Sequence, residues 1–199
     1  GATSTLSIIS TTDTAVFAPV IASFQVANPQ INVNYTAASS SQINTAIVEE
    51  NAQFDIAISS AMDLQTKLAN DGYAEAFDSS STTLVPDWGT WRNSIFTLSQ
   101  EPATIVLNRA AFKGQKIPQT RAELITLLRS QPKKYERRIG TYDVRTSGLG
   151  YLFATQDSRT SETFWRLTEL MGQLKVKLYC CSSDMIEDVS TGQIAIAYN

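Results

Sequence analysis

The sequence predicts an α/β fold with two lobes, in which mainly parallel sheets are flanked by helices. A short apolar segment, followed by hydroxyl residues and then by an amphipathic helix, occurs four times, starting at residues 5–9, 32–37, 54–58 and 175–179. Strands that alternate with helices in this way form parallel sheets with right-handed crossovers. The chain has 199 residues, of which 43% are hydrophobic, and this is enough for two lobes of about a hundred residues each.

Local signals mark the first elements of the chain. Apolar residues at helical spacing after the first strand predict a helix that ends at Asn28. Residues 32–37 alternate between apolar and polar side chains, as a half-buried strand does. Ser39 and Gln42 have the spacing of a capping box, so the second helix is predicted to begin there.

The third strand and helix of the first lobe are predicted from residues 54–58 and the segment after them. This run is apolar except for Asp55, which favours a strand at the centre of a parallel sheet. Ser59 or Ser60 is expected to cap the next helix, and Gly72 is expected to end it.

The boundary between the lobes is predicted near the middle of the chain. Two apolar segments, 95–99 and 104–108, are separated by too few residues for a crossover helix. We therefore expect these two strands to belong to different sheets. This places the first lobe at residues 1–100 and the second at residues 101–199.

The second lobe repeats the alternation of strands and helices. Thr120, which is followed three residues later by a glutamate, has the spacing of a capping box, and Ser147 is placed to begin a further helix. The next helix is predicted to end at Gly172, and a helix that starts near Asp184 is predicted to end before Gly192. The predicted strands are 139–142, 176–179 and 194–198.

Hydroxyl residues collect where the predicted strands end. In a parallel sheet the loops after the strands lie at the carboxyl edge, where ligands bind and helix N-termini present unpaired N–H groups. Such an edge fits a small polar or anionic solute. The candidate ligand-binding residues are Thr11, Thr12, Ser40, Ser41, Ser59, Ser60, Tyr142, Arg145, Ser147, Gly148, Ser182 and Ser183.

The loop around Ser147 is the strongest single candidate. Ser147 can cap the helix, while Gly148 and Gly150 would let a ligand approach the backbone closely. The Arg145 guanidinium could donate two parallel hydrogen bonds to a carboxylate or phosphate. The alternative is an ordinary N-cap beside a solvent-facing arginine, and the sequence leaves both interpretations open. Taken singly, the serine pairs of the first lobe favour a purely capping role, whereas together they would form one hydroxyl-lined wall.

Two further groups of residues have alternative interpretations. Trp88 and Trp91 could stack on a sugar or an aromatic ligand, but packing against the first lobe is favoured. Cys180 and Cys181 could suggest a soft metal or a redox site. A metal needs further ligands, and the chain has no histidine and no third cysteine, so two small buried residues are favoured.

Composition argues against several classes of protein. The net charge of −3 and the absence of a long basic run argue against nucleic acid as a partner. Without histidine, only a lysine or a carboxylate could activate a nucleophile, and the sequence has no G-x-S-x-G motif, so we expect neither an enzyme nor a cofactor. No apolar stretch reaches the roughly 18–20 residues that span a bilayer, and no signal peptide is visible.

The chain resembles a known family over nearly its whole length. The matching stretches are TLSIISTTDTAVFAPVIASFQVANPQINVNY, TAASSSQINTAI, FDIAISSAMDLQTKLANDGYAEAFDS, RRIGTYDVRTSGLGYLF and SSDMIEDVSTGQIAIAYN. With these it resembles the type II periplasmic solute-binding proteins of ABC importers, and among them the iron(III)-transport-like branch. The resemblance implies capture of a solute between two lobes, delivery to a membrane permease, and a periplasmic or extracellular location.

The sequence departs from this family in two respects. Family members continue beyond the point at which this chain ends, so the second lobe is expected to be incomplete. Iron binders of the family also carry two neighbouring tyrosines just past this point, whereas Tyr198 stands alone here and histidine is absent. These two differences argue against iron as the ligand. The same fold also serves as the ligand-sensing domain of signalling receptors and transcriptional regulators, and this is the alternative function.

Overall fold

The computed structural model describes residues 4–198, which divide into two compact units at Glu101 and Pro102. In chain order the first unit contains β1 (Ser4–Ser10), α1 (Thr14–Ala27), β2 (Ile31–Ala37), α2 (Ser40–Val48), β3 (Ile56–Ile58), α3 (Met62–Asn70), two 3₁₀ turns (Thr82–Leu84 and Asp87–Gly89), β4 (Thr90–Trp91) and β5 (Ile95–Phe96). The strand β4 pairs antiparallel with β5, apart from the main sheet.

The main sheet of the first unit is parallel and has the order β2-β1-β3. Residue Ile8 of β1 pairs with Tyr35 on one side and with Ile56 on the other. The prediction of a central strand at 54–58 was therefore wrong, because β1 is central and β3 lies at the edge of the described sheet. The Asp55 carboxylate accepts a hydrogen bond from the Ser7 amide (2.7 Å), and the Asp55 amide donates to the Ser7 carbonyl (2.9 Å), so Asp55 joins the start of β3 to β1.

The helices of the first unit agree with the sequence signals at most of their ends. The capping box of α2 is confirmed, with Ser39 and Gln42 each accepting from the other's backbone amide. Gly72 follows α3 with φ of +88°, a left-handed conformation that glycine adopts without strain. The predicted serine cap of α3 was wrong, because α3 begins after Ala61, and the Ser59 hydroxyl accepts from the Ala61 amide within the loop (3.1 Å).

The first helix is apolar on most of its surface, yet none of its residues is buried. Val16 and Val20 are 68% and 54% exposed, and the Phe17 ring stacks on Tyr35 of β2 with 5.2 Å between ring centroids. Pro19 lies inside the helix, one turn beyond its start. The first unit therefore presents an exposed apolar surface on this helix.

The second unit begins with the strand that follows Pro102. Its elements are β6 (Ile105–Leu107), a 3₁₀ turn (Ala110–Phe112), α4 (Arg121–Ser130), α5 (Pro132–Tyr135), β7 (Ile139–Tyr142), α6 (Gly148–Thr160), α7 (Phe164–Gln173), β8 (Lys177–Tyr179), α8 (Ser182–Thr191) and β9 (Ile196–Tyr198). As expected from the sequence, β5 and β6 belong to different sheets.

The sheet of the second unit has the order β6-β9-β7-β8, with β6 antiparallel to β9 and the other pairs parallel. Apolar residues cover both of its faces. One cluster includes Leu128, Ile139 and Leu167, and the other includes Tyr142 and Val189. The predicted α/β fold with mainly parallel sheets flanked by helices is confirmed.

Two helix signals of the second unit were misread. The helix α7 continues through Gly172 to Gln173, and the left-handed residue after it is Lys175, with φ of +56°. Thr120 caps α4 by accepting from the Glu123 amide, but the Glu123 carboxylate accepts from the Gln119 amide (2.7 Å) and so leaves the box incomplete.

Candidate functional site

In the first unit, the loops after β1 and β3 are joined by hydrogen bonds at the carboxyl edge of the sheet. The Ser60 amide donates to the Thr11 hydroxyl (3.3 Å), and the Thr11 amide donates to the Ile58 carbonyl (3.0 Å). Two residues predicted separately from the sequence, Thr11 and Ser60, are thus brought into contact.

The position of Thr12 depends on two residues that sequence analysis did not select. The fully buried Ser10 hydroxyl accepts from the Thr12 amide (3.0 Å), and the Tyr35 hydroxyl donates to the Thr12 carbonyl (2.7 Å). The Ser10 carbonyl also accepts from the Ala38 amide, which ties the loop after β2 to the end of β1. Ser10 could have been found, because it opens the hydroxyl run that contains Thr12.

The three serines after β2 have different environments. Ser39 is the N-cap of α2, and its hydroxyl also lies 3.1 Å from the Ser41 hydroxyl. Ser40 is the first residue of α2 and is buried. Ser40 and Ser41 therefore lie in the first helical turn, at the positive end of the helix dipole.

In the second unit, Tyr142 and Ser182 meet at the same edge. Their hydroxyl oxygens are 2.6 Å apart, which links the end of β7 to the start of α8. The Tyr142 side chain is only 7% exposed, and its ring packs against Phe153 with 6.3 Å between ring centroids. Tyr142 therefore contributes its hydroxyl to this edge, while the ring belongs to the core.

Arg145 is held by a carboxylate that sequence analysis missed. Its Nε and Nη2 atoms donate to the two carboxylate oxygens of Asp143, over 2.9 and 2.7 Å. These hydrogen bonds lower the pKa of the Asp143 carboxyl to about 2 and raise the pKa of the Arg145 guanidinium. The Asp143 amide donates to the Tyr179 carbonyl (2.8 Å), so this loop is also fixed to the end of β8. Asp143 could have been found, because it lies two residues before Arg145.

The N-terminus of α6 forms as the sequence predicts, but Gly150 has another role. The buried Ser147 hydroxyl accepts from the Gly150 amide (3.0 Å), and Gly148 is the first helical residue. A Cβ atom on Gly150 would lie 2.3 Å from the Cβ of Tyr142. The interpretation of Gly150 as an approach for a ligand is thus corrected, because the space beside it is filled by Tyr142.

The cysteine pair differs from the sequence expectation. Cys180 and Cys181 form a disulfide bond between neighbouring residues. Cys180 is exposed and Cys181 is partly buried, so they are not two small buried residues. Cys181 is also the N-cap of α8, although its side chain makes no capping hydrogen bond. Ser183 and Asp184 follow as exposed residues of the first helical turn.

The two tryptophans of the first unit are exposed residues and are not part of its buried core. Trp88 is 67% exposed and Trp91 is 44% exposed, which overturns the packing interpretation. The Trp91 indole N–H donates to the Asn70 side-chain oxygen (3.0 Å). These rings lie in the turn-rich segment beyond α3.

Tyr198 takes part in a polar contact inside the second unit. Its hydroxyl donates to Asp157 (2.8 Å), which also pairs with Arg121 (2.5 Å). Burial, together with the hydrogen bond to Asp157, raises the pKa of the Tyr198 hydroxyl. Arg121 and Asp157 line a groove of about 640 Å³, together with residues that include Ile105 and Phe153. None of the predicted ligand-binding residues lines this groove.

Within residues 4–198 there is no group of histidine, cysteine, aspartate and glutamate side chains that could hold a metal ion.

None of the described helices is both long and apolar enough to cross a membrane. The described polar groups at the two sheet edges include hydroxyls, backbone amides and the Arg145–Asp143 ion pair. Such groups bind polar solutes by hydrogen bonding.

This fold, with hydroxyl residues at the carboxyl edges of its parallel sheets, is that of a substrate-binding protein. The model of the bacterial extracellular solute-binding protein family matches residues 6–198, and the chain belongs to this family. No curated protein sequence matches the chain.

Solved structures agree with this membership. The substrate-binding protein of an ABC transporter from Agrobacterium tumefaciens is 39% identical and superposes with a TM-score of 0.94, over 98% of this chain and 59% of that protein. AfuA from Actinobacillus pleuropneumoniae, solved with fructose-6-phosphate bound, is 16% identical with a TM-score of 0.74, over 100% of this chain and 64% of that protein.

Iron-bound HitA from Pseudomonas aeruginosa shares the fold at 18% identity, with a TM-score of 0.68 over 97% of this chain and 61% of that protein. The chain thus spans about three fifths of the length of these structures. The solutes bound by AfuA and HitA do not indicate the solute of this chain, because at 16–18% identity only the fold is shared.

Proposed function

We propose that the protein that contains this chain binds a small polar solute and delivers it to the membrane permease of an ABC importer, in the periplasm or outside the cell. The family membership supports this role. The observation that carries the proposal is the position of the predicted hydroxyl residues. Thr11 with Ser60, and Tyr142 with Ser182, lie at the carboxyl edges of parallel sheets beside helix N-termini.

The chemistry of these residues favours binding without conversion. Catalysis by a hydroxyl group needs a neighbouring base that removes its proton. The Thr11 hydroxyl accepts from the Ser60 amide, and the Ser182 hydroxyl shares its hydrogen bond with the Tyr142 hydroxyl, so neither described contact is with a base. We therefore expect the solute to be released unchanged.

Native mass spectrometry of the full natural protein, as purified, tests the proposal. We expect a bound solute of low mass that is recovered chemically intact after denaturation. Isothermal titration with that solute should show weaker binding for Ser183→Ala, by about five- to tenfold, the scale of one lost hydrogen bond.

Ser190→Ala is the matched control. Ser190 lies near the far end of α8, where its hydroxyl donates to the Glu187 carbonyl, so the affinity should not change. If no solute is found in the purified protein, and none of a broad panel of polar solutes binds, the proposed function is wrong. Conversion of the solute by the protein would equally contradict it.

A further inference from the structure

The disulfide between Cys180 and Cys181 lies among the residues of the candidate site. It fills the two positions between the last residue of β8, Tyr179, and the first residue of α8, Ser182. On one side the Tyr179 carbonyl accepts from the Asp143 amide, and on the other the Ser182 hydroxyl contacts the Tyr142 hydroxyl. Cys180 is exposed, so the disulfide lies at the surface between two residues that contact the candidate site.

The bond changes what this pair of residues can offer to a ligand. Two free thiols would be nucleophiles and metal ligands, whereas the bonded sulfurs have neither an S–H donor nor a negative charge. They form a polarisable and weakly hydrated surface, which suits contact with C–H groups. Because the bond joins neighbouring residues, it closes a small ring that includes their peptide group. A surface of this kind loses little conformational entropy when a ligand binds.

The charged groups beside the disulfide disfavour an anionic ligand. Lys177 pairs with Asp188, and the acidic residues Asp184 and Glu187 line the same groove as Cys180. Arg145 donates two hydrogen bonds to Asp143, so the guanidinium charge is balanced by a carboxylate within the same loop. The hydroxyl groups of Ser182 and Ser183 are neutral, and both residues are exposed. A neutral ligand satisfies these hydroxyls at no electrostatic cost, whereas an anion would have to compete with Asp143 for Arg145.

We propose that the Cys180–Cys181 disulfide is a contact surface for the solute, and that the solute is a neutral cyclic polyol, such as a pyranose sugar or a cyclitol. One C–H face of the ring packs on the two sulfurs, and hydroxyls at its rim exchange hydrogen bonds with Ser182 and Ser183. This inference rests on the proposed function, since it names the solute class and adds a contact to the same site.

Protection of the disulfide from reduction tests the contact directly. Tris(2-carboxyethyl)phosphine reduces a disulfide to two thiols and becomes the phosphine oxide by taking oxygen from water. The probes are methyl glucoside, methyl galactoside and myo-inositol, with glucose-6-phosphate and citrate as anionic comparisons, all on the full natural protein. We expect at least one neutral ring to bind. At 20 times its Kd, it should slow reduction of the Cys180–Cys181 bond about 20-fold, because the bound form is covered.

Two paired substitutions provide an independent measurement. Cys180→Ser with Cys181→Ser, and Cys180→Ala with Cys181→Ala, should each raise the Kd for the neutral ring at least tenfold. Ser190→Ala should leave that Kd unchanged. Hydrogen exchange of α8 shows whether the paired variants remain folded, and the protection experiment on the unmodified protein does not depend on them.

The outcomes separate this inference from the proposed function. If a neutral ring binds but neither slows reduction nor loses affinity in the paired variants, the disulfide contact is wrong and the proposed function stands. Lost affinity without protection means that the disulfide only holds the loop, which also overturns the contact. Binding of anions alone overturns the solute class. If nothing in the panel binds, the solute class is wrong, and the solute that co-purifies decides the proposed function.

Discussion

Substitution of Gly150 by alanine tests the packing that builds the candidate site of the second unit. A Cβ at this position would lie 2.3 Å from the Cβ and 2.9 Å from the Cγ of Tyr142, and 3.2 Å from the Ser147 hydroxyl. These Tyr142 atoms are next to the backbone of β7, so the ring cannot turn away, and α6 must move from the sheet. Overpacking of this kind costs about 3 kcal/mol at the upper end of its usual range.

Part of this cost is offset by the helix preference of alanine. Replacement of glycine by alanine inside a helix stabilises it by about 1 kcal/mol, which leaves a net loss of about 2 kcal/mol for Gly150→Ala. With an m value of about 2 kcal/mol per M of urea, the unfolding midpoint of the second unit should fall by about 1 M. Hydrogen exchange of peptides from residues 102–198 separates this transition from that of the first unit.

The matched control is Gly172→Ala in α7. Its added Cβ has no neighbour within 4 Å, so only the helix preference acts. The second unit should become more stable by roughly 0.5–1 kcal/mol. If both variants are stabilised to the same extent, the close contact between α6 and Tyr142 does not exist, and the assignment of Gly150 to packing is wrong.

Three further changes test other parts of the two edges. Ser39→Ala removes the capping box of α2 and should cost the first unit about 1 kcal/mol in urea unfolding; a change under 0.3 kcal/mol would contradict it. A double-mutant cycle with Tyr142→Phe and Ser182→Ala should give a coupling energy of about 0.5–1.5 kcal/mol, and additive effects would rule out the hydrogen bond. The Asp143 carboxyl should titrate near pH 2 in carbon NMR, below its ordinary 3.8. Its pairing therefore stabilises the fold fully above pH 4 and is lost as the pH falls to 2. In Arg145→Ala the midpoint should rise toward 3.8, and an unchanged midpoint would exclude the guanidinium as the cause.

Several predicted ligand-binding hydroxyls have structural partners of their own. Ser59 accepts from the Ala61 amide and Ser147 accepts from the Gly150 amide, so each holds its own loop. Thr11 does the same for Ser60, across two loops. Exposed Ser182 and Ser183 are better placed to meet a solute. The serine pattern therefore predicts the edge of the sheet more reliably than it predicts the contacts of each serine.

The sequence by itself determined those features that depend on neighbours along the chain. The capping box of Ser39 and Gln42, the strand Ile139–Tyr142 and the N-cap at Ser147 are correct because their interactions reach only three or four residues. The left-handed glycines at 72 and 192 follow from the same local chemistry. Alternation of strands and helices was enough to give the parallel sheets.

Only the tertiary structure decided which elements lie side by side. The edge position of β3 follows from the pairing of β1 with two strands, and a short apolar run does not distinguish an edge strand from a central one. Gly150 is small because Tyr142, eight residues earlier, packs beneath it, and Tyr142 reaches Ser182 forty residues away. The sequence did not indicate the disulfide, because the Cα atoms of neighbouring cysteines lie closer than in most disulfides, and its exposure at the sheet edge depends on where β8 ends relative to β7. Contacts between distant segments are set by the packing of the whole unit, which no local pattern records.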